Sequence, residues 1–316
     1  MEQKAIQLGV VLLSLALLLR LGSTMEKEEL GRTLLFISSG RMVLPAAAPE
    51  QEEAPEETIP DEPQADAEIP VFGQDQEMLV QVNGSQPVDT LALLQQPLAW
   101  DLRLDAPTVL IFHSHATESY EKEAGYTETS PYRTLDTDYN MVSVGERVAQ
   151  ILEAGGIQVI HDRKLHDYPS YNDAYGNARQ SVSDILAQNP SVCLVLDLHR
   201  DAAEDASGRQ KVSTVTVEGQ PCANLMLVMG SDSGGLSFPN WERNLALAVK
   251  LQAQLEQNYP GLCRPIKLVS GRYNQDLSTG ALLIEVGTAG NTHAQALCAA
   301  EYLAQGILAL AKGANY

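Results

Sequence analysis

Three uninterrupted apolar runs in this chain each end in ionisable residues, and that pairing restricts the fold more than any other feature. They are VLIFHSHATESY from Val109, VCLVLDLHRDA from Val192 and ALLIEVGTAGNT from Ala281. A strand that is apolar at every position is covered on both of its faces, which is the habit of parallel sheets flanked by helices. Helical patterns do separate the runs. Residues 140–154 carry Met141, Val144, Val148, Ile151 and Leu152 on one face and end at Gly155-Gly156, and residues 171–188, 240–257 and 293–312 read as further helices. With strands expected over 108–113, 157–161, 192–198, 212–217, 225–229 and 281–286, the pattern predicts an α/β fold. The expected core is a twisted, mostly parallel sheet with helices on both faces.

The first third of the chain differs in kind. Residues 5–19 are almost wholly apolar between Lys4 and Arg20. This is somewhat short for a bilayer span, but Arg20 can snorkel and Leu21 and Gly22 extend the run. A retained transmembrane helix is the expectation, with the remainder of the chain on the outer side. A cleaved signal peptide is the alternative, although Gly22-Ser23-Thr24-Met25 offers no A-x-A site. The formal net charge of −20 is concentrated downstream: residues 49–77 hold eleven Asp and Glu, and residues 42–102 hold no Lys or Arg. So acidic a chain does not bind nucleic acid through a basic face. The Pro-, Glu- and Ala-rich stretch from about 45 to 75 cannot bury enough surface to offset its ordering entropy, so a disordered, extended tether is expected. The expected organisation is therefore an anchor (1–24), an acidic linker (25–76), a leader that packs on the domain or stays partly ordered (77–104), and a catalytic domain (105–316). The four cysteines lie far apart, without a zinc-ribbon or disulfide-framework spacing. Cys193 and Cys298 read as buried small hydrophobes, and a Cys222–Cys263 bridge is left open.

In open α/β sheets, functional groups gather at the carboxyl ends of the strands. His113, His115 and Glu118 follow the first run, Asp197, His199, Arg200 and Asp201 end the second, and Glu285 lies inside the third. Two imidazoles and one carboxylate leave the open position of a catalytic zinc shell, so His115, Glu118 and His199 are the expected ligands, with His113 in reserve. Glu285 is the expected general base, its pKa raised by apolar surroundings. A plain core role explains it poorly, because an unpaired buried carboxylate is costly. His161, His166 and His293 read as surface or supporting residues. Arg200, Arg272 and Asn274 are candidate substrate contacts, since a guanidinium grips a carboxylate at two points. Their alternative is pairing with Asp197, Asp201 or Asp276.

The strings HSHATESY, TDYNMVSVGERVAQILEAGGIQVIHD, HDYPSYNDAY, LDLHRDA and GRYNQDLSTGALLIEVGTAGNTHAQA resemble successive blocks of the stage II sporulation protein P family, from about Thr108 to Leu310. The resemblance implies a membrane-anchored, zinc-dependent peptidoglycan hydrolase of forespore engulfment. That family is similar in turn to zinc N-acetylmuramoyl-L-alanine amidases. By that similarity His115 and His199 take ligand positions, and Glu285, ahead of Gly287 and Asn291, takes the catalytic one. The broader amidases carry their carboxylate ligand near the start of the first helix, a place filled here by Asn140, so Asn140 joins the candidate substrate contacts and Glu118 is expected to serve as ligand instead. The resemblance also implies stem-peptide endopeptidase activity and, as partners, a lytic transglycosylase and a membrane scaffold protein. A zinc carboxypeptidase or peptidase, and an inert wall-binding scaffold, are the competing readings.

Overall fold

The structure is a computed structural model and describes residues 74–312, apart from 85, 99 and 124. The expected anchor and nearly all of the expected linker lie outside the described residues. In chain order the elements are α1 (Gln74–Glu77), β1 (Val82–Gly84), α2 (Thr90–Gln95), β2 (Pro107–Phe112), β3 (Glu128–Ser130), β4 (Arg133–Thr134), α3 (Met141–Ala154), β5 (Gln158–His161) and α4 (Ala174–Gln188). Then follow β6 (Leu194–Asp201), β7 (Thr214–Val217), β8 (Gln220–Ala223), β9 (Leu225–Gly230), α5 (Trp241–Asn258), β10 (Ile266–Val269), β11 (Ala281–Thr288) and α6 (His293–Ala311).

Seven strands form the central sheet in the order β1-β10-β9-β11-β6-β2-β5. All neighbours are parallel except β9 and β11. The sheet is thus two parallel blocks of opposite sense, and β5, β2, β6 and β11 share one carboxyl end. Strand alternation assigns the faces. Val109 and Ile111 of β2, Leu194, Leu196 and Leu198 of β6, and Leu282, Ile284 and Val286 of β11 pack against α3, α5 and α6. Leu110, Phe112, Val195 and Ala281 point the other way, onto Ala178 and Val182 of α4. Helices therefore lie on both faces, as the continuous apolar runs require.

Local signals set the helix ends. Asn140 caps α3 by accepting from the Val142 amide, and Gly156, at φ 86°, takes the left-handed turn after its last residue. Thr292 and Gln295 form a capping box at α6. That helix is long and apolar enough to cross a membrane, yet half of its most apolar stretch is buried in the protein, where Ala296, Ala299, Ala300 and Leu303 fill the core.

The expected leader is woven into the fold. β1 extends the sheet by pairing with β10, a strand the periodicity does not reveal, and α2 buries Leu93 and Leu94. The Lys250 ammonium on α5 donates to the Leu94 carbonyl. Residues 212–217, expected as a sheet strand, instead pair as β7 with β8 in a separate two-stranded ribbon. That ribbon is tied to α6 by a Cys222–Cys298 disulfide across 76 residues. Cys298 is therefore bridged and Cys263 is free, which corrects both cysteine expectations.

Candidate metal centre

Register builds the site. β6 and β11 are parallel neighbours with His199 opposite Glu285, so both side chains leave the same face of the sheet, the one that α4 covers. Asp197, two residues before His199, shares that face and lies opposite Phe112 at the end of β2. Beyond β2 the Asp197 carboxylate captures Ser114, accepting from its amide at 2.8 Å and its hydroxyl at 2.7 Å. The chain then turns, with the Glu118 amide donating to the His115 carbonyl at 3.1 Å. As a result His115 Nδ1 lies 3.7 Å from Glu118 Oε1, and His199 Nδ1 lies 3.6 Å from Glu118 Oε2. The two rings stand nearly perpendicular, 5.1 Å apart, and all three residues are buried.

These residues can hold a metal ion. One donor atom from each lies within 4.8 Å of the others. Bonds of about 2.0–2.2 Å in a tetrahedral shell place donors roughly 3.2–3.6 Å apart, so the three residues must draw together, by as much as about 1 Å for the widest pair, to close on an ion. The second nitrogen of His199, Nε2, sits 2.9 Å from Asp197 Oδ1, near enough for ion pairing but off the line of a hydrogen bond. A carboxylate behind a histidine is the usual support for a metal-binding imidazole.

Ionisable groups this close shift one another. Burial would raise the Glu118 pKa, but Arg200 and the two histidines outweigh it and hold the carboxyl at about 2. Burial lowers the His115 pKa. It opposes the charge on His199 too, but there the Asp197 and Glu118 carboxylates win and hold the imidazolium well above the usual range. Glu118 also touches Arg133, whose NH2 is 3.3 Å from Oε1. The other arm of Arg133 donates to Asp167 Oδ2 at 2.7 Å, and its guanidinium lies 4.6 Å above the Tyr171 ring. Tyr171 stacks on His115 at 4.5 Å, and Tyr175 meets His115 edge-on at 5.2 Å.

Glu285 sits beside this cluster. Its Oε2 is shielded from solvent and has no hydrogen-bond partner. Burial, reinforced by the negative charges of Glu118 and Asp201 and opposed by His199 and Arg200, raises its pKa from 4.5 to about 8. The backbone beyond it is fixed on two sides. The Tyr120 hydroxyl donates to the Val286 carbonyl at 2.9 Å, and a register shift in β11 between Glu285 and Thr288 leaves Gly287 at φ 75°. A Cβ on Gly287 would stand 2.7 Å from that of Ala223, so only glycine fits the bulge.

Other expected residues stand elsewhere. His113 follows the parity of Val109 and Ile111 onto the α3 face, against Gly145. Its Nδ1 bonds the Leu198 carbonyl at 3.0 Å and its Nε2 lies 3.0 Å from His161 Nε2, while burial and His161 lower its pKa to about 3. It is therefore not placed to act as a reserve ligand. Arg200, on the opposite face from His199, donates to the Ser119 and Tyr132 carbonyls at 2.9 Å and backs Glu118 from inside the fold. Asn140 is fully buried, its oxygen capping α3 and its nitrogen donating to the Thr134 carbonyl, so no atom is left for substrate. Arg272 pairs with the Ser237 carbonyl and Asp276, and Asn274 donates to the carbonyl of Tyr175, whose ring packs on His115 and His199. The remaining histidines are not surface groups: His161 meets His113, His166 bonds Asp162, and His293 bonds Ser143. Arg133, Asp167, Tyr171 and Tyr175 escaped the sequence reading. Three of these lie in the aromatic-rich HDYPSYNDAY block, which was a usable signal, whereas nothing local marks Arg133.

Comparison with known proteins agrees with the blocks identified in the sequence. A relative, the stage II sporulation protein P of Bacillus subtilis (strain 168), is 33% identical over 198 residues, covering 59% of this chain and 47% of the relative. The chain thus spans about half the length of that protein. Solved structures with some similarity include the N-acetylmuramoyl-L-alanine amidase of Clostridium difficile 630 (18% identity, 66% of this chain and 95% of that one, TM-score 0.37). Another is the N-acetylmuramyl-L-alanine amidase of Mycobacterium abscessus (13% identity, 66% and 97%, TM-score 0.37). The family model of stage II sporulation protein P matches residues 27–308, and the chain belongs to that family.

Proposed function

We propose that this chain is a zinc-dependent peptidoglycan hydrolase of the N-acetylmuramoyl-L-alanine amidase class that works in forespore engulfment. The observation that carries the reading is the convergence of His115, Glu118 and His199 with Glu285 one strand away, a half-buried residue whose Oε2 is shielded from solvent and unpartnered. Family membership supplies the sporulation context.

In this reading His115, Glu118 and His199 hold a zinc ion, which when bound lowers the pKa of a coordinated water and polarises the scissile carbonyl. His115 and His199 present Nδ1, and Asp197 steadies the far nitrogen of His199. Glu285 Oε2 takes a proton from the attacking water and passes it to the departing amide nitrogen. A pKa of about 8 suits a group that must both accept and release a proton near neutrality. Tyr171, more than half exposed beside His115, offers its ring edge and hydroxyl to the substrate.

The same chemistry cleaves a stem-peptide amide, so endopeptidase activity is included in the proposal. The chain acts on the outer side of the membrane, held by residues 1–24 and given reach by the acidic linker, alongside a lytic transglycosylase and a membrane scaffold. A disulfide between Cys222 and Cys298 suits that oxidising compartment. Digestion of purified peptidoglycan with and without a chelator, with products identified by mass, tests the reading. Zinc-dependent release of stem peptides with free L-alanine amino termini is expected. Release that chelation leaves unchanged would sink the zinc reading, and trimming only at peptide carboxyl ends would favour a carboxypeptidase.

A further inference from the structure

We propose that Arg133 is the positioning residue of the metal centre, one guanidinium that fixes the Glu118 carboxylate directly and the His115 imidazole through the Tyr171 ring. The inference rests on the zinc reading above and extends it to a residue outside the ligand set.

The contacts are specific. Arg133 opens β4, in a short hairpin outside the central sheet. Its NH2 lies 3.3 Å from Glu118 Oε1, while NH1 donates to Asp167 Oδ2 at 2.7 Å and Thr117 Oγ1 at 3.1 Å. Asp167 in turn accepts from the Thr117 hydroxyl at 2.6 Å and amide at 3.1 Å. The guanidinium carbon lies 4.6 Å above the Tyr171 ring, which stacks on His115 with only 20° between planes. One side chain therefore joins the 115–118 turn, the hairpin, the loop bearing Asp167 and the turn bearing Tyr171.

The residue type is chemically required. Two buried carboxylates, Glu118 and Asp167, flank the same cation, and a planar fork serves both while an aromatic ring supports its face. A lysine ammonium is a point charge that reaches one carboxylate at a time. Arg200 is no substitute: its NH1 is 3.8 Å from Glu118 Oε1, and its remaining arms are committed to the Ser119 and Tyr132 carbonyls. It supplies charge to Glu118 and has no path to His115. Its removal leaves two buried carboxylates without their shared partner, so Arg133→Lys, which keeps the charge, is the variant that separates the site from the fold.

Zinc affinity of the purified full chain, measured by competition with a chromophoric chelator, tests this beside the melting temperature of the chelated protein. Losing a residue that supports a metal ligand costs about 10–100-fold in metal affinity. Arg133→Lys and Arg133→Ala should weaken zinc binding within roughly that range, with the chelated Arg133→Lys protein melting within a few degrees of wild type. Millimolar guanidinium should recover part of the affinity of Arg133→Ala and leave wild type unchanged. Should the alanine variant fail to fold, Arg133→Lys decides alone. Wild-type affinity in Arg133→Lys would overturn the assignment while leaving the zinc centre intact. A wild-type chain that binds zinc no better than His199→Ala would overturn the zinc reading itself, and this proposal with it.

Discussion

Glu285 is the residue on which the chemistry turns, and its charge state ties function to stability. Replacing it with Gln keeps shape and removes the proton carrier, so hydrolysis should fall about 10²–10⁴-fold while zinc affinity stays near wild type. Steady-state digestion and chelator competition, run together, check this. The same carboxyl sets a pH dependence. Its folded pKa of about 8 lies above the ordinary 4.5, so its contribution to stability is full below pH 4.5 and is lost as pH rises through 8. Glu118 has the opposite sign: held at about 2, it contributes above pH 4.5 and is lost as pH falls through 2. Between pH 5 and 8 the chelated Glu285→Gln protein should therefore gain stability relative to wild type by on the order of a few kcal/mol, while the buried histidines of lowered pKa act alike in both proteins. A difference between the two proteins that stays constant with pH would assign no titration to Glu285.

At the scale of elements, the site depends on how α3 begins. The Met141 amide donates to the Glu118 carbonyl at 3.0 Å, and Ser119 and Asn140 form an isolated bridge, so the start of α3 holds the segment that carries Glu118. Asn140 thus occupies the place where a ligand was sought, yet serves the fold. Asn140→Ala should cost about 1–3 kcal/mol, the lost cap plus an unpaired Thr134 carbonyl, read by denaturant unfolding. Helix limits of this kind were legible because caps and glycine stops are local: Gly155-Gly156 and Thr292 with Gln295 mark them in the sequence. The β3–β4 hairpin was not, since strands of three and two residues show no periodicity.

At the scale of the whole molecule, the functional unit begins earlier than the apolar alternation implies. β1 covers the edge of β10, and Leu93, Leu94 and Leu102 are buried against the rest of the core. A fragment starting at residue 105 forfeits their burial, roughly 1.5–3 kcal/mol for each leucine, and bares a strand edge. It should melt lower and aggregate relative to one that starts at residue 66, where the compact unit begins, as thermal scans and light scattering would show. Cys222→Ser with Cys298→Ser should cost a further 2–4 kcal/mol or so by freeing a long loop in the unfolded chain, measured as a lower denaturant midpoint.

The sequence by itself determined the α/β alternation, the helix ends and the strands that deliver His115, His199 and Glu285, because burial and periodicity are properties of a few neighbouring residues. Tertiary structure decided the rest. A strand buried on both faces shows no alternation, so its sequence could not say that His113 turns toward α3 while His199 and Glu285 turn toward α4. The Arg133 fork, the Asp167 carboxylate and the Cys222–Cys298 bridge join segments far apart in the chain. Their partners are chosen by register and loop closure, which no local pattern records.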